Sequence, residues 1–300
     1  MQQARKFEKF AHPGAADGVC LTHELDARSR DERVDGLTIM LALLLSALTV
    51  DYEIITASGT DAGPAVIYKT VLPNASIEIA TPPAYGYEAK VDNGARALRA
   101  FGPLGGNPCG VLSTTSKTAE AHACRWAVNA GPYDTKTHQC PSVFISNGIV
   151  QGNGSWAVQF GVTGNGSWVI GTIDATTAKE LDVRESVPGF GWLVRNGVNV
   201  AGTGDAVAPR TTIGTTADGM LLILEVDGCE PNYCAYKHLG RTLHEMADLL
   251  ISRGALHAIN LDGGGSSTTV ENGTTINRPT SSDNWAVKQE RGVTTIACVV

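Results

Sequence analysis

The sequence predicts an α+β fold: a large, mostly antiparallel β-sheet with several Asn-Gly hairpins and a few packed helices. Three observations predict it. Asn147-Gly148, Asn165-Gly166, Asn196-Gly197, Asp218-Gly219 and Asn272-Gly273 each lie between alternating or apolar runs. Such pairs tolerate the positive φ of a two-residue hairpin turn, so they read as links between antiparallel strands. One helix is strongly signalled. Thr242-Leu-His-Glu245 is a capping box, Leu243, Met246, Leu249 and Leu250 recur at helical spacing, and Gly254 follows the last turn. That helix feeds an apolar run, Ala255 to Leu261, which reads as a buried strand ending in Asp262-Gly-Gly-Gly-Ser-Ser-Thr268.

Composition bounds the partners. The chain has 300 residues, 34 of them glycine, and a formal net charge of −7. With that charge and no basic cluster interleaved with aromatics, no nucleic-acid partner is expected. Residues 1–36 form a polar leader with no assignable element. Residues 37–50 (LTIMLALLLSALTV) carry no charge. The run is short for a bilayer span and suits a signal-peptide core, an uncleaved anchor, or a buried core helix. Any membrane contact is expected only there. Residues 51–107 read as a β-containing lead-in, with β-like pieces at Tyr52–Thr56, Ala65–Leu72 and Ser76–Ala80. Residues 108–300 form the main domain. Its elements include a helix over 116–125 behind capping Ser and Thr residues, a short strand from Trp126, and a last strand over Gly292–Val300.

Seven cysteines divide unevenly, with Cys20 before the hydrophobic run and six after it. An even number beyond the run fits passage into an oxidising compartment. The spacing provides no zinc site. Neither a metal nor a cofactor is expected, although Asp227 and Asp262 would share a cation if the fold brought them together. Four sequons, at Asn74, Asn153, Asn165 and Asn272, agree with a secretory route, and three of them double as Asn-Gly turns.

Chemistry is sought where strands end in polar residues and glycine or proline, because a rigid scaffold positions such loops. Four stretches qualify: Asn129-Ala-Gly-Pro-Tyr133, Ala208-Pro-Arg210-Thr211-Thr212-Ile-Gly214, Glu225-Val-Asp227-Gly228, and the Asp262 loop. In that order, together with the Leu243–Leu250 helix, they resemble the phosphodiester glycosidase family. The resemblance runs from about Pro108 to Val300 and is strongest over 208–274. It implies hydrolysis of a sugar-1-phosphodiester: removal of α-N-acetylglucosamine from N-acetylglucosamine-1-phospho-mannose on a phosphorylated glycan or glycoprotein, exposing mannose 6-phosphate. It also implies a place in the secretory pathway, in the Golgi lumen or outside the cell, and disulfides Cys109–Cys140 and Cys124–Cys298, with Cys229–Cys234 as a local addition. The alternatives are a glycosidase for another surface or exported polysaccharide phosphodiester, and a sugar-phosphate-binding module without turnover.

The residues carry a mechanism of their own. Cleavage of a sugar C1–O–P bond passes through an oxocarbenium-like state. A phosphate monoester leaves as a weak base, so the site needs cationic charge on phosphate and a carboxylate facing C1 more than a strong acid. Arg210 suits the first need through its bidentate fork, its alternative being a structural ion pair. Asp262 suits the second as nucleophile, base or electrostatic stabiliser. Asp227 is the second candidate carboxylate, its alternative an Asp-Gly turn. Gly263, Gly264 and Ser266 offer donors to substrate. Asn129 and Thr211 complete the expected binding set, Asn129 having turn formation as its alternative. Glu245 is more simply the partner within its capping box.

Overall fold

The computed structural model describes residues 51–59, 63–72, 86–103, 109–155, 157–203, 206–229, 239–280 and 287–300. The leader, the hydrophobic run at 37–50 and the piece Ser76–Ala80 lie outside them, as does Cys234. Among the described residues no helix is long and apolar enough to cross a membrane.

Every strand pairing in the sheets is antiparallel. The strands divide into several sheets rather than one. A six-stranded sheet has the order β1-β10-β9-β11-β7-β8. Its strands are β1 (Tyr52–Ile55), β7 (Ser142–Ser146), β8 (Ile149–Ser155), β9 (Val158–Thr163), β10 (Trp168–Thr172) and β11 (Val183–Gly189). A seven-stranded sheet has the order β13-β12-β16-β14-β15-β3-β2. It contains β2 (Val66–Leu72), β3 (Gly86–Asp92), β12 (Gly191–Arg195), β13 (Val198–Asn199), β14 (Arg210–Thr216), β15 (Leu221–Val226) and β16 (Ala255–Asn260). A five-stranded sheet, β18-β17-β6-β20-β4, uses β4 (Leu98–Phe101), β6 (Trp126–Asn129), β17 (Thr269–Glu271), β18 (Thr274–Thr275) and β20 (Ile296–Val299). The short strands β5 (Ser113–Thr114) and β19 (Gly292–Val293) pair with each other.

All five expected hairpin turns form where the dipeptides placed them. At Asn147-Gly148, Asn196-Gly197 and Asn272-Gly273 both residues take positive φ. Residues 51–107, read as a lead-in, contribute strands to all three large sheets, and Val50–Val300 forms one compact unit. The expected last strand over Gly292–Val300 is broken into β19 and β20, which serve different sheets. Its β-branched composition favours extended backbone but does not dictate one partner.

Burial explains the unbroken apolar run of β15. Leu221 and Ile223 enter the core between the sheets, with Phe160, Trp168, Ile213 and Ile259. Leu222, Leu224 and Val226 point the other way into a second core with Val194 and Ala258. Helix α4 (Leu243–Ser252) closes that second core through Met246, Ala247 and Leu250. Both faces being covered, alternation has no polar side to show. The capping box of α4 is complete: Glu245 N donates to Thr242 Oγ1 and Thr242 N to Glu245 Oε2. Gly254 follows with φ 91°. The remaining helices, α1 (Gly94–Ala97), α2 (Thr115–Ala121) and α3 (Ala175–Glu180), are short. Disulfides join Cys109 to Cys140 and Cys124 to Cys298, and Cys229 is also disulfide-bonded.

Candidate active site

Two strand ends bring two of the expected residues to one cleft. In the β14–β16 ladder Thr212 sits opposite Asn260 and Gly214 opposite Ala258. Leu261 N keeps that register by donating to Thr211 O at 2.9 Å, whereas Gly264 N donates to Pro209 O at 3.0 Å, one residue out of it, so the chain bulges between Asp262 and Gly264. Arg210, Asp262, Gly263 and Gly264 line one cleft of about 630 Å³, together with Phe190, Leu243, Asn260 and Arg291.

The loop after β16 is pinned by a buried amide. Asn129, at the end of β6, is wholly buried. Its Nδ2 donates to Asp262 O at 2.6 Å, and its Oδ1 accepts from Thr211 Oγ1 at 2.8 Å and Thr268 N at 3.0 Å. Asp262 N completes the tie by donating to Ala130 O at 2.9 Å. One side chain thus holds β14 and both ends of the Asp262–Thr268 loop. Asn129 and Thr211 were expected to bind substrate. The structure instead buries both behind the cleft and engages them with each other. Ser266 is buried as well.

The three glycines have separate reasons. Gly264 has φ 57°, in the left-handed region. A Cβ on Gly265 would lie 2.3 Å from Nη2 of Arg291, so the third glycine makes room for a guanidinium. Gly263 N donates to Asp262 Oδ1 at 3.1 Å, which gives the carboxylate a local tether as well as a cleft position. Arg210 is steadied by backbone carbonyls: its Nε donates to Arg241 O at 3.0 Å and its Nη2 to Ala206 O at 2.6 Å. Arg291 joins the site without a sequence signal, since it lies in no patterned element, whereas Tyr133 closes the Asn129–Tyr133 stretch. Tyr133 donates its hydroxyl to Gly292 O at 2.9 Å. Burial raises the pKa of its phenol and the charge of Asp262 raises it further, against the lowering effects of Arg291 and Ser266.

Asp227 is not among the residues lining this cleft. Arg210 pairs with Val226 in the β14–β15 ladder, so the next residue, Asp227, falls on the opposite face. There it joins Glu225 in a buried carboxyl pair. Asn277 Nδ2 reaches Glu225 Oε1 at 3.0 Å, Asp227 Oδ1 at 3.1 Å and Ser267 O at 3.1 Å. Two hydrogens serve three acceptors, so one bond is shared. Arg278 N adds a further donor to Asp227 Oδ1 at 2.9 Å. Burial, then the neighbouring Asp227, push Glu225 well above the ordinary carboxylate range. Burial also lifts Asp227, to about 6. Burial thus favours the protonated form of both groups, and of Glu225 more than of Asp227. Among the described residues, Asp227 does not line the cleft that holds Asp262, so the two do not meet there to share a cation. Among the described residues no group of three or more His, Cys, Asp or Glu is arranged to hold a metal ion.

Comparison with known proteins follows the same lines. A family model described as phosphodiester glycosidase matches residues 122–300. The chain is 31% identical over 232 residues to N-acetylglucosamine-1-phosphodiester alpha-N-acetylglucosaminidase of Bos taurus, covering 67% of this chain and 42% of the bovine protein. The Homo sapiens protein of the same name is 30% identical over 232 residues, with 67% and 44% covered. The chain thus spans less than half the length of these relatives. A solved structure, the zebrafish N-acetylglucosamine-1-phosphodiester alpha-N-acetylglucosaminidase catalytic domain auto-inhibited by pro-peptide, shares the fold with a TM-score of 0.72. Its sequence is 24% identical, over 85% of this chain and 90% of that one. The shared fold defines the class as a β-rich α+β domain of the kind that catalytic domain has. Within that class the chain belongs to the phosphodiester glycosidase family.

Two predictions follow from the buried networks. Asn129→Ala strands three buried partners, at a cost of about 3 kcal/mol or more. Calorimetry is expected to show the melting temperature falling by roughly 6–12 °C; a drop below ~2 °C would mean that the amide does not hold the loop. The second concerns pH. Because folding raises the pKa of Asp227, its contribution is fully present below the unfolded carboxyl's value of about 4 and is lost as pH rises through about 6. Thermal stability of the wild type should therefore decline between about pH 4 and 6. Asp227→Asn should flatten that decline, and an unchanged slope in the variant would discard this assignment.

Proposed function

We propose that this chain hydrolyses a sugar-1-phosphodiester, removing α-N-acetylglucosamine from N-acetylglucosamine-1-phospho-mannose on phosphorylated glycans or glycoproteins and exposing mannose 6-phosphate. The observation that carries the reading is the placement of Arg210 and Asp262 in one cleft, on a chain of this family. Arg210 takes the phosphate, aided by Arg291 at the same cleft, and Asp262 faces the anomeric carbon. Water adds at C1 while the C1–O bond breaks. The bonding pair leaves with the phosphate monoester, and the water's proton passes to that monoester or to solvent. Two guanidinium groups near the phosphate stabilise the charge that develops on it, so no strong acid is required at the leaving oxygen.

Gly263 and Gly264 border the same cleft and present backbone to the ligand. Ser266, Asn129 and Thr211 act from behind, by holding the loop in place. Asp227 is a positioning residue in this reading: its contacts run through Asn277 to Ser267 O, on the segment that follows the glycines. Two disulfides between residues distant in sequence support a secretory route.

Asp262→Asn is expected to lower kcat on an N-acetylglucosamine-1-phosphodiester by about 100-fold or more with the melting temperature preserved. Near-normal turnover would remove Asp262 from the mechanism. Arg210→Lys replaces a bidentate fork by a point charge and should cost about 10–100-fold in kcat/KM on the diester. An aryl α-N-acetylglucosaminide without phosphate is the control. A loss confined to that control would show that Arg210 does not bind phosphate.

A further inference from the structure

A second cleft, of about 520 Å³, shares no lining residue with the first. It lies where the turns after β7 and β9 meet the start of β11, and residues of α1 and β4 also line it. Its charge is unlike that of the chain. Arg96, Arg99 and Arg184 line it with a single carboxyl group, Glu185, on a protein whose net charge is −7. Guanidinium groups gathered in one concavity raise the local concentration of anions.

A β-bulge brings Arg184 there. Val183 pairs with Thr163 and Glu185 with Val162, so Arg184 is an extra residue without a partner on β9. Neighbours on a regular strand point to opposite faces, whereas here Arg184 and Glu185 both border the same cleft. The Arg184 carbonyl accepts from Gly148 N at 2.7 Å, which ties the bulge to the β7–β8 turn. Glu185 braces the same place. Its Oε2 accepts from Ala100 N at 2.9 Å and its Oε1 from Asn147 N at 3.1 Å. Burial raises its pKa, against the lowering effect of those donors and of Arg99.

With both oxygens of Glu185 engaged by backbone, donors outnumber acceptors in the cleft. Arg99 Nη1 donates to Arg96 O at 2.7 Å and to Leu98 O at 2.8 Å, which holds the guanidinium plane. Its Nε and Nη2 have no acceptor among the described residues, and together they form a fork that fits two oxygens of one anion. Arg184 meets Asp182 only through Nη2, at 2.9 Å, in a pair that is 55% and 61% exposed. Such a pair is weakly held in water. Apolar lining is confined to Ala95 and Val162, and Asn147 and Asn165 add side-chain amides. The volume is that of a small-molecule site. We infer that this cleft is a second oxyanion site, which takes the phosphate or sulfate group of a small polar ligand on Arg99 and Arg184. It stands apart from the cleft of Arg210 and Asp262 and does not depend on the reaction proposed there.

The test is an NMR titration of the 15N-labelled full chain at constant ionic strength. The probes are inorganic phosphate, inorganic sulfate and mannose 6-phosphate, with chloride as the control. Saturable shifts are expected at the amides of Gly148, Gly164, Gly166 and Arg184, while Gly263 and Gly264 report the first cleft separately. Arg99→Gln should weaken the binding seen at the second cleft about tenfold. Arg184→Gln, at an exposed position, should weaken it severalfold with the melting temperature unchanged. Tighter binding of mannose 6-phosphate than of sulfate supports the site and names a phosphate monoester as its ligand; the reverse order supports it and names a sulfate ester. Shifts confined to Gly263 and Gly264, shifts reproduced by chloride, or affinity unchanged in both variants would each overturn the site. Loss of diester hydrolysis in a separate assay would leave this result untouched.

Discussion

The site depends on one buried carboxamide. Asn129 makes hydrogen bonds with Asp262 O, Thr211 Oγ1 and Thr268 N, and thereby joins a strand of the five-stranded sheet to the strand and loop that carry Arg210 and Asp262. In the wholly buried setting of this side chain each bond is stronger than at the surface, and each unpaired partner more costly. An amide serves because it offers a donor and an acceptor within one rigid plane, which neither a hydroxyl nor a carboxylate does at neutral pH. The loop it fixes contains three glycines, the residues that lose most conformational freedom on folding. Without such a clamp a Gly-Gly-Gly segment would not keep a carboxylate at one place.

The cores on either side of the seven-stranded sheet supply the frame. Leu221 and Ile223 fill one, Leu222 and Leu224 the other, so a slip of β15 by one residue would exchange both sets at once. That constraint sets register, and register in turn sets which polar residues meet at the strand ends. Arg210, Val226 and Asn260 follow one parity; Thr211, Glu225 and Asp227 follow the other. The polar chemistry is accordingly sorted between two places. One is an open cleft with guanidinium groups and a carboxylate. The other is an enclosed pair of carboxyl groups that shares Asn277 and raises its own affinity for a proton. The enclosed pair suits alignment of the segment after the glycines, since Asn277 links it to Ser267 O.

Much of the architecture was legible locally. The five Asn-Gly and Asp-Gly turns, the capped helix α4 and the strand ending before Asp262 are each dictated by neighbours within a few residues, through φ preference, capping and periodicity. The division into several sheets was not legible. Nor was the sharing of Gly292–Val300 between two of them, or the incorporation of residues 51–107 into the main unit. Pairing partners far apart in sequence are chosen by packing, and extended segments of similar composition are locally interchangeable.

The sequence by itself pointed to strand ends that meet at one cleft, and it singled out Arg210, Asp262 and the glycines beside them. Only the tertiary structure decided which of the other polar groups face the cleft. Asp227 and Thr211 turn inward because side chains alternate along a strand and the register is set by cores remote from them. Arg291 and Phe190 reach the cleft because separate connections converge there, and no pattern within those segments records the convergence. Local sequence governs what a residue can do, whereas the pairing of distant strands governs what it meets.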